Sequence, residues 1–176
     1  MTNSLLRHMI LTRSLRKCRK HLENHHNTCN QRLHQLIRSE EICWKEMSLL
    51  LGVVASKTLG VLVAVEYNID DGLGRQYGDA LFYNKDQDRM FAVECKHVND
   101  YLSTQTVQSR TLKVQRQAHT CATRIRSYLD HLCAFDPSLA MFAYTVVVPV
   151  ALTNQKRKVE LLGIEPRSLR PCLTTV

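Results

Sequence analysis

The chain has 176 residues, of which 44% are hydrophobic and 23% charged, and its formal net charge is +8 at pH 7. This composition excludes a disordered chain, and no apolar run approaches the roughly 18 residues of a membrane helix. The basic surplus favours a polyanionic partner, nucleic acid rather than a membrane. The seven cysteines form no CxxC pair or disulfide framework, which favours a reducing, intracellular compartment.

The first 22 residues carry six basic residues and no acidic one. Leu11, Leu15, Cys18 and Leu22 recur at helical spacing, which predicts a basic amphipathic helix. Such a segment is typical of a mitochondrial transit peptide, of a nucleic-acid-binding arm or of a solvated helix, and these interpretations stay open. The nucleus and the mitochondrion are therefore both possible locations. We expect residues 1–38 to form a basic helical N-terminal extension.

Histidines and cysteines, the residue types that bind zinc, are concentrated in residues 18–29. Their spacing matches no standard zinc finger. We therefore expect histidines on a polar helix here rather than a zinc site. The residues concerned are Cys18, His21, His25, His26 and Cys29.

A second helix is predicted to begin near Ser39, since Ser followed by two glutamates is a typical helix start. Its end is expected at Gly52 or, in better agreement with the pattern, at Gly60. Glu46 falls in the middle of the apolar face of this helix. A buried carboxylate needs a partner, so we expect Glu46 to have one.

Three strands, a long helix and a fourth strand are predicted next. The strands are expected at residues 59–67, 77–83 and 90–96, the helix at 103–133 and the fourth, fully apolar strand at 141–148. Residues 158–164 are compatible with a fifth strand. The last twelve residues, 165–176, contain two prolines and are expected to be disordered, which leaves 39–164 as the folded domain.

The second and third strands form a predicted hairpin with its turn centred between Asp86 and Gln87. This register keeps the apolar face separate from the polar face, and a slip by one residue would mix them. It puts Asp79 directly opposite Glu94, with Cβ atoms about 5 Å apart, and Lys96 on the same face. Facing carboxylates repel unless a cation lies between them. The hairpin therefore predicts a site for a divalent ion such as Mg²⁺, which prefers oxygen ligands.

Gly78-Asp79, fourteen further residues and then Glu94-Cys95-Lys96 resemble the motif of the PD-(D/E)xK nuclease superfamily. The order helix, three strands, helix, strand is similar to the αβββαβ core of its restriction-endonuclease-like fold, over about residues 39 to 150. Gly78 stands where the motif has Pro. The resemblance implies an α/β fold with a mixed central sheet flanked by helices.

The resemblance also implies roles for individual residues. Asp79 and Glu94 would bind Mg²⁺ or Mn²⁺, with the backbone carbonyl of Cys95 as a further ligand, and Lys96 would assist the attacking water. An additional acid would come from the first helix of the domain, Glu46 or, as the alternative, Glu41. The helix after the third strand would supply a glutamine or a lysine, for which the candidates are Gln117 and Lys113. Independently of the resemblance, Arg110, Lys113 and Arg124 of this helix could contact backbone phosphates.

The expected function is therefore a Mg²⁺-dependent endonuclease, with DNA favoured over RNA as substrate and a homodimer as one compatible assembly. Two alternatives stay open. The first is a catalytically inactive nucleic-acid-binding module of the same fold. The second is a small targeting or adaptor protein that works through its basic N-terminus.

Overall fold

A mixed sheet with helices on both faces forms the core of the chain. The computed structural model describes residues 3–39, 44–70, 75–98 and 103–154. In chain order the elements are α1 Asn3–Lys20, α2 Leu22–Arg38, α3 Trp44–Ser56, β1 Val61–Asp70, β2 Arg75–Asn84, β3 Arg89–Lys96, α4 Thr104–Phe135, a 3-10 helix Pro137–Phe142 and β4 Val146–Thr153. None of the described helices is both long enough and apolar enough to cross a membrane.

The strands of the described sheet lie in the order β1-β2-β3-β4. The first three are antiparallel neighbours, and β4 runs parallel to β3. A parallel neighbour needs a crossover connection, and α4 provides it. Tyr83 pairs with Met90 and Leu81 with Ala92, which confirms the predicted hairpin register. The chain is thus an α/β protein with a mixed sheet flanked by helices.

Side chains of β2 and β3 alternate between two hydrophobic clusters, as the two-residue period of a strand requires. One cluster packs against α1 and α4 and includes Leu81, Met90 and Ala92. The other packs against α2 and α3 and includes Phe82 and Phe91. Because both faces are covered, the sheet forms the middle layer of three.

Both helices of the predicted N-terminal extension contribute to this core. Leu11, Leu15 and Cys18 of α1 are each only 1% exposed, and Leu22 packs against the same cluster. This confirms the apolar stripe predicted from the sequence. Leu33 of α2 is fully buried in the cluster on the other face. The extension is therefore part of the packed structure, whatever further role its charges have.

His25 and His26 lie on a helix, as expected, but both are buried rather than on its polar surface. His25 Nε2 donates to the carbonyl of Val63 at 2.7 Å, and the backbone N–H of Leu62 donates to His26 Nδ1 at 2.9 Å. The register of β1 shifts between Leu62 and Ala64, so these backbone groups need partners outside the sheet. The histidines supply those partners. Burial lowers the pKa of both rings, which favours the neutral form that this bonding requires.

Two predicted element boundaries also differ from the structure. Ser39 ends α2 instead of beginning the next helix, because its backbone N–H bonds to carbonyls of that helix. The fourth strand begins at Val146 rather than at residue 141. Pro137 begins a 3-10 helix there, the Asp136 carboxylate accepts from the Ser138 backbone N–H, and burial of Phe142 fixes this turn in the core.

The second helix of the sequence prediction ends at Ser56, between the two glycines considered. Gly60 lies just before β1 with a φ of 85°, and an added Cβ would come 2.4 Å from the carbonyl oxygen of Tyr83. Only glycine fits there. Glu41, the predicted strand 158–164 and the tail 165–176 lie outside the described residues.

Pro149 lies within β4, the outermost strand on its side of the described sheet. Proline has no N–H to donate, and it is tolerated in strands mainly at sheet edges. Val148, Val150 and Leu152 are buried on the α2/α3 face, and Ala151 is buried on the opposite face against α4. The strand is therefore apolar on both faces, as predicted, while its backbone carries this interruption.

Candidate metal centre

Asp79 and Glu94 meet where β2 and β3 separate. The paired residues of the two strands end at Ala80 and Val93. Beyond that pair, the backbone N–H of Cys95 donates to Asp79 Oδ2 at 2.6 Å. The Asp79 carboxylate thus accepts the hydrogen bond that a backbone carbonyl of β2 would otherwise accept. This bond holds the carboxylate against β3.

Glu94 is buried, with 7% of its surface exposed. The Cys121 thiol of α4 donates to Glu94 Oε1 at 3.0 Å, and the same sulfur lies 3.2 Å from the backbone oxygen of Tyr77. One cysteine therefore links α4 to both strands that carry the acidic pair. Nothing in the sequence pattern distinguished Cys121 from the other cysteines.

The surroundings of both carboxylates favour their protonated forms. Burial raises the pKa of Asp79 to about 6, and the Glu46 charge adds to this, while the bond from Cys95 and the Lys96 charge oppose it. Burial also raises the pKa of Glu94 to about 7, with the Asp79 charge as the next cause. A divalent cation would relieve both effects, because it binds the ionised carboxylates and displaces their protons.

Lys96, the last residue of β3, forms an ion pair with Glu46 of α3. Lys96 Nζ lies 2.6 Å from Glu46 Oε1, and the His97 backbone N–H donates to the same oxygen at 3.3 Å. The Glu46 side chain is 16% exposed and that of Lys96 is 47% exposed. The partner expected for Glu46 is thus Lys96, and α3 joins the site through this pair.

Cys95 contributes its backbone to the site and its thiol to the core. Its side chain packs into the cluster on the α2/α3 face, because neighbouring residues of a strand point to opposite faces. Burial raises the pKa of this thiol well above its usual range, so it stays a neutral core group. Any metal ligand from Cys95 has to be its backbone carbonyl, as the resemblance implied.

Gly78 stands where the motif has proline, and its surroundings explain why. A Cβ built at this position would lie 2.2 Å from Cζ and 2.3 Å from the hydroxyl oxygen of Tyr67. The ring of Tyr67, which is buried in β1, therefore covers the backbone immediately before Asp79. Any larger residue at position 78 would displace this ring.

Glu66 is a fourth acidic residue near the site, and the sequence analysis did not assign it. It lies in β1 between the pairs Val65–Ala80 and Tyr67–Gly78, which puts it beside Asp79 of β2. Its charge contributes to the raised pKa of Glu94. Its φ of 47° is unusual for a side chain other than glycine and costs energy in a strand. The available signal was its position as the one charged residue in an apolar run.

The predicted substrate-contacting residues of α4 follow one side of the helix. With 3.6 residues per turn, their directions around the helix axis span roughly 60° and all lie on the same side of Cys121. Gln117, Lys113 and Arg110 are exposed, while Arg124 is partly buried. The axial distance from Cys121 to Arg110 is about 16 Å. These residues, Gln117, Lys113, Arg110 and Arg124, are named here the α4 basic flank.

The donor set fits a hard cation only in part. Among the described residues, no group of three or more His, Cys, Asp or Glu side chains is arranged to hold a metal ion. Asp79 and Glu94 supply two carboxylates. Mg²⁺ is usually bound by one or two carboxylates with water and substrate phosphate completing the shell. The pair therefore fits Mg²⁺ or Mn²⁺ better than an ion that needs a complete cage of side chains.

Comparison of the chain with protein-family models, with curated proteins and with solved structures finds no match in any of the three.

Proposed function

We propose that the chain is a metal-dependent nuclease that hydrolyses phosphodiester bonds of nucleic acid, with DNA as the favoured substrate. The observation that carries this proposal is the pair of buried carboxylates, Asp79 and Glu94, beside the ion pair of Lys96 with Glu46. The order helix, three strands, helix and strand along the chain, together with the motif spacing, supports the resemblance to the PD-(D/E)xK core. The restriction-endonuclease-like fold is part of the same proposal.

Each residue has a distinct task in this proposal. Asp79 and Glu94 would hold Mg²⁺ or Mn²⁺, which supplies Lewis acidity and a more acidic water molecule at neutral pH. Lys96 would bring a positive charge to the attacking water and the phosphate oxygens. Glu46 would position the Lys96 ammonium through the 2.6 Å ion pair. The backbone N–H of Cys95 keeps Asp79 oriented.

The α4 basic flank would position the substrate. Lys113 and Arg110 are exposed along the side of the helix that leads away from Cys121, so they can contact phosphates next to the scissile one. Such contacts fix the register of a nucleic acid without reading its sequence. Gln117 and Arg124 lie about one helical turn on either side of Cys121, which contacts Glu94.

Cleavage assays with matched variants test the proposal. We expect Mg²⁺- or Mn²⁺-dependent cleavage of DNA that falls at least 100-fold in Asp79→Asn and in Lys96→Ala. The turn between β2 and β3 offers the same two residue types, Asp86 and Lys85, both exposed. They lie about 20 Å away, at the other end of the hairpin. Asp86→Asn and Lys85→Ala should therefore cleave like wild type.

The proposal fails if wild type shows no metal-dependent cleavage of single-stranded, double-stranded or branched DNA or RNA. It also fails if Asp79→Asn and Lys96→Ala retain the wild-type rate, because the activity would then come from another source.

A second candidate is an inactive nucleic-acid-binding module of the same fold. The observation that favours it is the short ion pair between Lys96 and Glu46, which engages the ammonium that catalysis would need. This candidate predicts binding that weakens with salt and no cleavage with any divalent metal. Glu46→Gln separates the two, because releasing Lys96 changes the cleavage rate of an enzyme but leaves a binding module inactive.

A further inference from the structure

The buried hydroxyl of Tyr67 makes no hydrogen bond of good geometry with any described residue, and its one polar contact is a weak interaction with the Cys121 thiol. The residue is 2% exposed, so the hydroxyl is also shielded from bulk solvent. Native proteins rarely leave such a group unsatisfied, and the exceptions occur at functional sites or at positions of bound water. This hydroxyl therefore needs an explanation, and its position offers one.

Tyr67 lies at the carboxylate pair. Its ring covers Gly78, the residue before Asp79. Burial raises the pKa of the Tyr67 phenol well above its usual range, and the charges of Cys121, Glu94 and Asp79 and the weak hydrogen bond with Cys121 raise it further. The phenol is therefore protonated at any physiological pH and available as a donor. Its surroundings contain acceptors, the two carboxylates, that a donor would satisfy.

We propose that Tyr67 is a positioning residue of the metal centre, whose hydroxyl donates to a buried water molecule shared with the Glu94 carboxylate. The water would hold one side of Glu94 while the Cys121 thiol holds Oε1. Glu94 would then keep one orientation towards Asp79 with or without a cation. The part of this inference that concerns the metal rests on the proposed function. The link between Tyr67 and Glu94 does not depend on that function.

The glycine at position 78 belongs to the same arrangement. The Tyr67 ring reaches the carboxylates only because residue 78 has no side chain, since a Cβ would overlap the phenol at 2.2 to 2.7 Å. Glycine is the residue that permits such a close approach. The departure from the motif and the unsatisfied hydroxyl thus have one cause, a tyrosine inserted beside the acidic pair.

Tyr67→Phe tests the inference, because it removes the hydroxyl and keeps the ring over Gly78. We expect the dissociation constant for Mn²⁺, measured by calorimetry at pH 7.5, to rise tenfold or more, as outer-shell partners of metal ligands typically contribute that much. The matched control is Tyr128→Phe, which removes a buried phenol that pairs with Thr12 instead. It should lower the melting temperature and leave the Mn²⁺ dissociation constant unchanged. An unchanged constant in Tyr67→Phe overturns the inference.

A metal-free experiment separates this inference from the proposed function. In EDTA, the melting temperatures of Tyr67→Phe, Glu94→Gln and the double variant form a thermodynamic cycle. We expect non-additive shifts, because both single changes break the same water-mediated contact. Additive shifts overturn the inference, even if wild type binds Mn²⁺. If wild type binds no divalent metal, the proposed function fails, while the cycle still decides whether Tyr67 positions Glu94.

Discussion

Gly78 occupies a position of the sequence motif and is also constrained by the packing of Tyr67 against it. Gly78→Ala adds one Cβ that would lie 2.2 Å from the Tyr67 ring, whose own position is fixed by burial. We expect the free energy of unfolding to fall by about 2 kcal/mol, the usual cost of overpacking a rigid core. Urea unfolding measures this change.

Gly52 provides the matched control, because an added Cβ there meets no atom within 4 Å. It lies inside α3, where alanine is favoured over glycine. Gly52→Ala should raise the free energy of unfolding by up to about 1 kcal/mol. If Gly78→Ala were as stable as wild type or more stable, the assigned contact of Gly78 with Tyr67 would be wrong.

The acidic pair predicts how the stability of the metal-free protein depends on pH. The folded-state pKa values of Asp79, about 6, and Glu94, about 7, lie above their ordinary values of 3.8 and 4.5. The folded state therefore binds these protons more tightly than the unfolded state. Their contribution to stability is complete below about pH 4 and is lost as the pH rises through 6 and 7.

The double variant Asp79→Asn, Glu94→Gln isolates this contribution, since neither amide titrates. Measured in EDTA, the free energy of unfolding of wild type minus that of the double variant should decrease as the pH rises from about 4 to about 8. Added Mg²⁺ should reduce that change, because it stabilises the ionised carboxylates. A difference that stays constant with pH would contradict the assigned pKa values.

At the scale of elements, the first helix has two separable properties, its apolar stripe and its charge. Leu15→Ala should lower the free energy of unfolding by 2 to 5 kcal/mol, about the cost of truncating a buried leucine, since Leu15 is 1% exposed. Arg13 and Arg19 are exposed on the same helix. Changing both to alanine should alter stability by less than about 0.5 kcal/mol.

Thermal or urea unfolding of these variants decides what the N-terminal segment does. If Leu15→Ala were as stable as wild type, α1 would be a dispensable arm or a removable targeting segment. A loss of nucleic-acid affinity in the double arginine variant, at unchanged stability, would give the charges a separate binding role. The two outcomes are independent, because packing and charge lie on different sides of the helix.

The hairpin could be predicted from the sequence because its information is local. Alternation of apolar residues along β2 and β3, with turn residues at 84–89, determines which side chains face one another. The stripe of α1 followed from helical periodicity in the same way. Asp79 and Glu94 could therefore be brought together without any knowledge of the rest of the chain.

Features that depend on distant contacts could not be predicted. His25 and His26 are polar by composition, and their burial follows from backbone groups of β1 that lose partners where the register shifts. The thiol of Cys121 reaches Glu94 only because α4 crosses over the sheet. The start of β4 was also missed, since Met141 and Phe142 have strand-like composition but belong to a 3-10 helix that Pro137 begins.

At the scale of the whole molecule, charge should control the binding of nucleic acid. Arg110→Ala and Lys113→Ala each remove one exposed cation of the α4 basic flank. Each should weaken DNA binding and reduce the slope of log K against log salt by about 1, if each residue neutralises one phosphate. Fluorescence anisotropy over 50 to about 300 mM salt measures both quantities.

Lys85→Ala is the control for this experiment, since it removes the same charge from the far end of the hairpin. It should leave the slope unchanged. Equal slopes for all three variants would show that binding follows net charge alone and that α4 has no special part in it.

Pro149 has a consequence for how copies of this chain can meet. Two sheets merge edge to edge when each outer strand offers an unbroken row of N–H and C=O groups to the other. β4 cannot do so, because its row lacks an N–H at Pro149 in the middle of the strand. A second copy adding alongside β4 would have to leave a carbonyl unsatisfied there. Within the part of the chain that the structure describes, β4 is therefore a poor template for edge-to-edge pairing with a second copy.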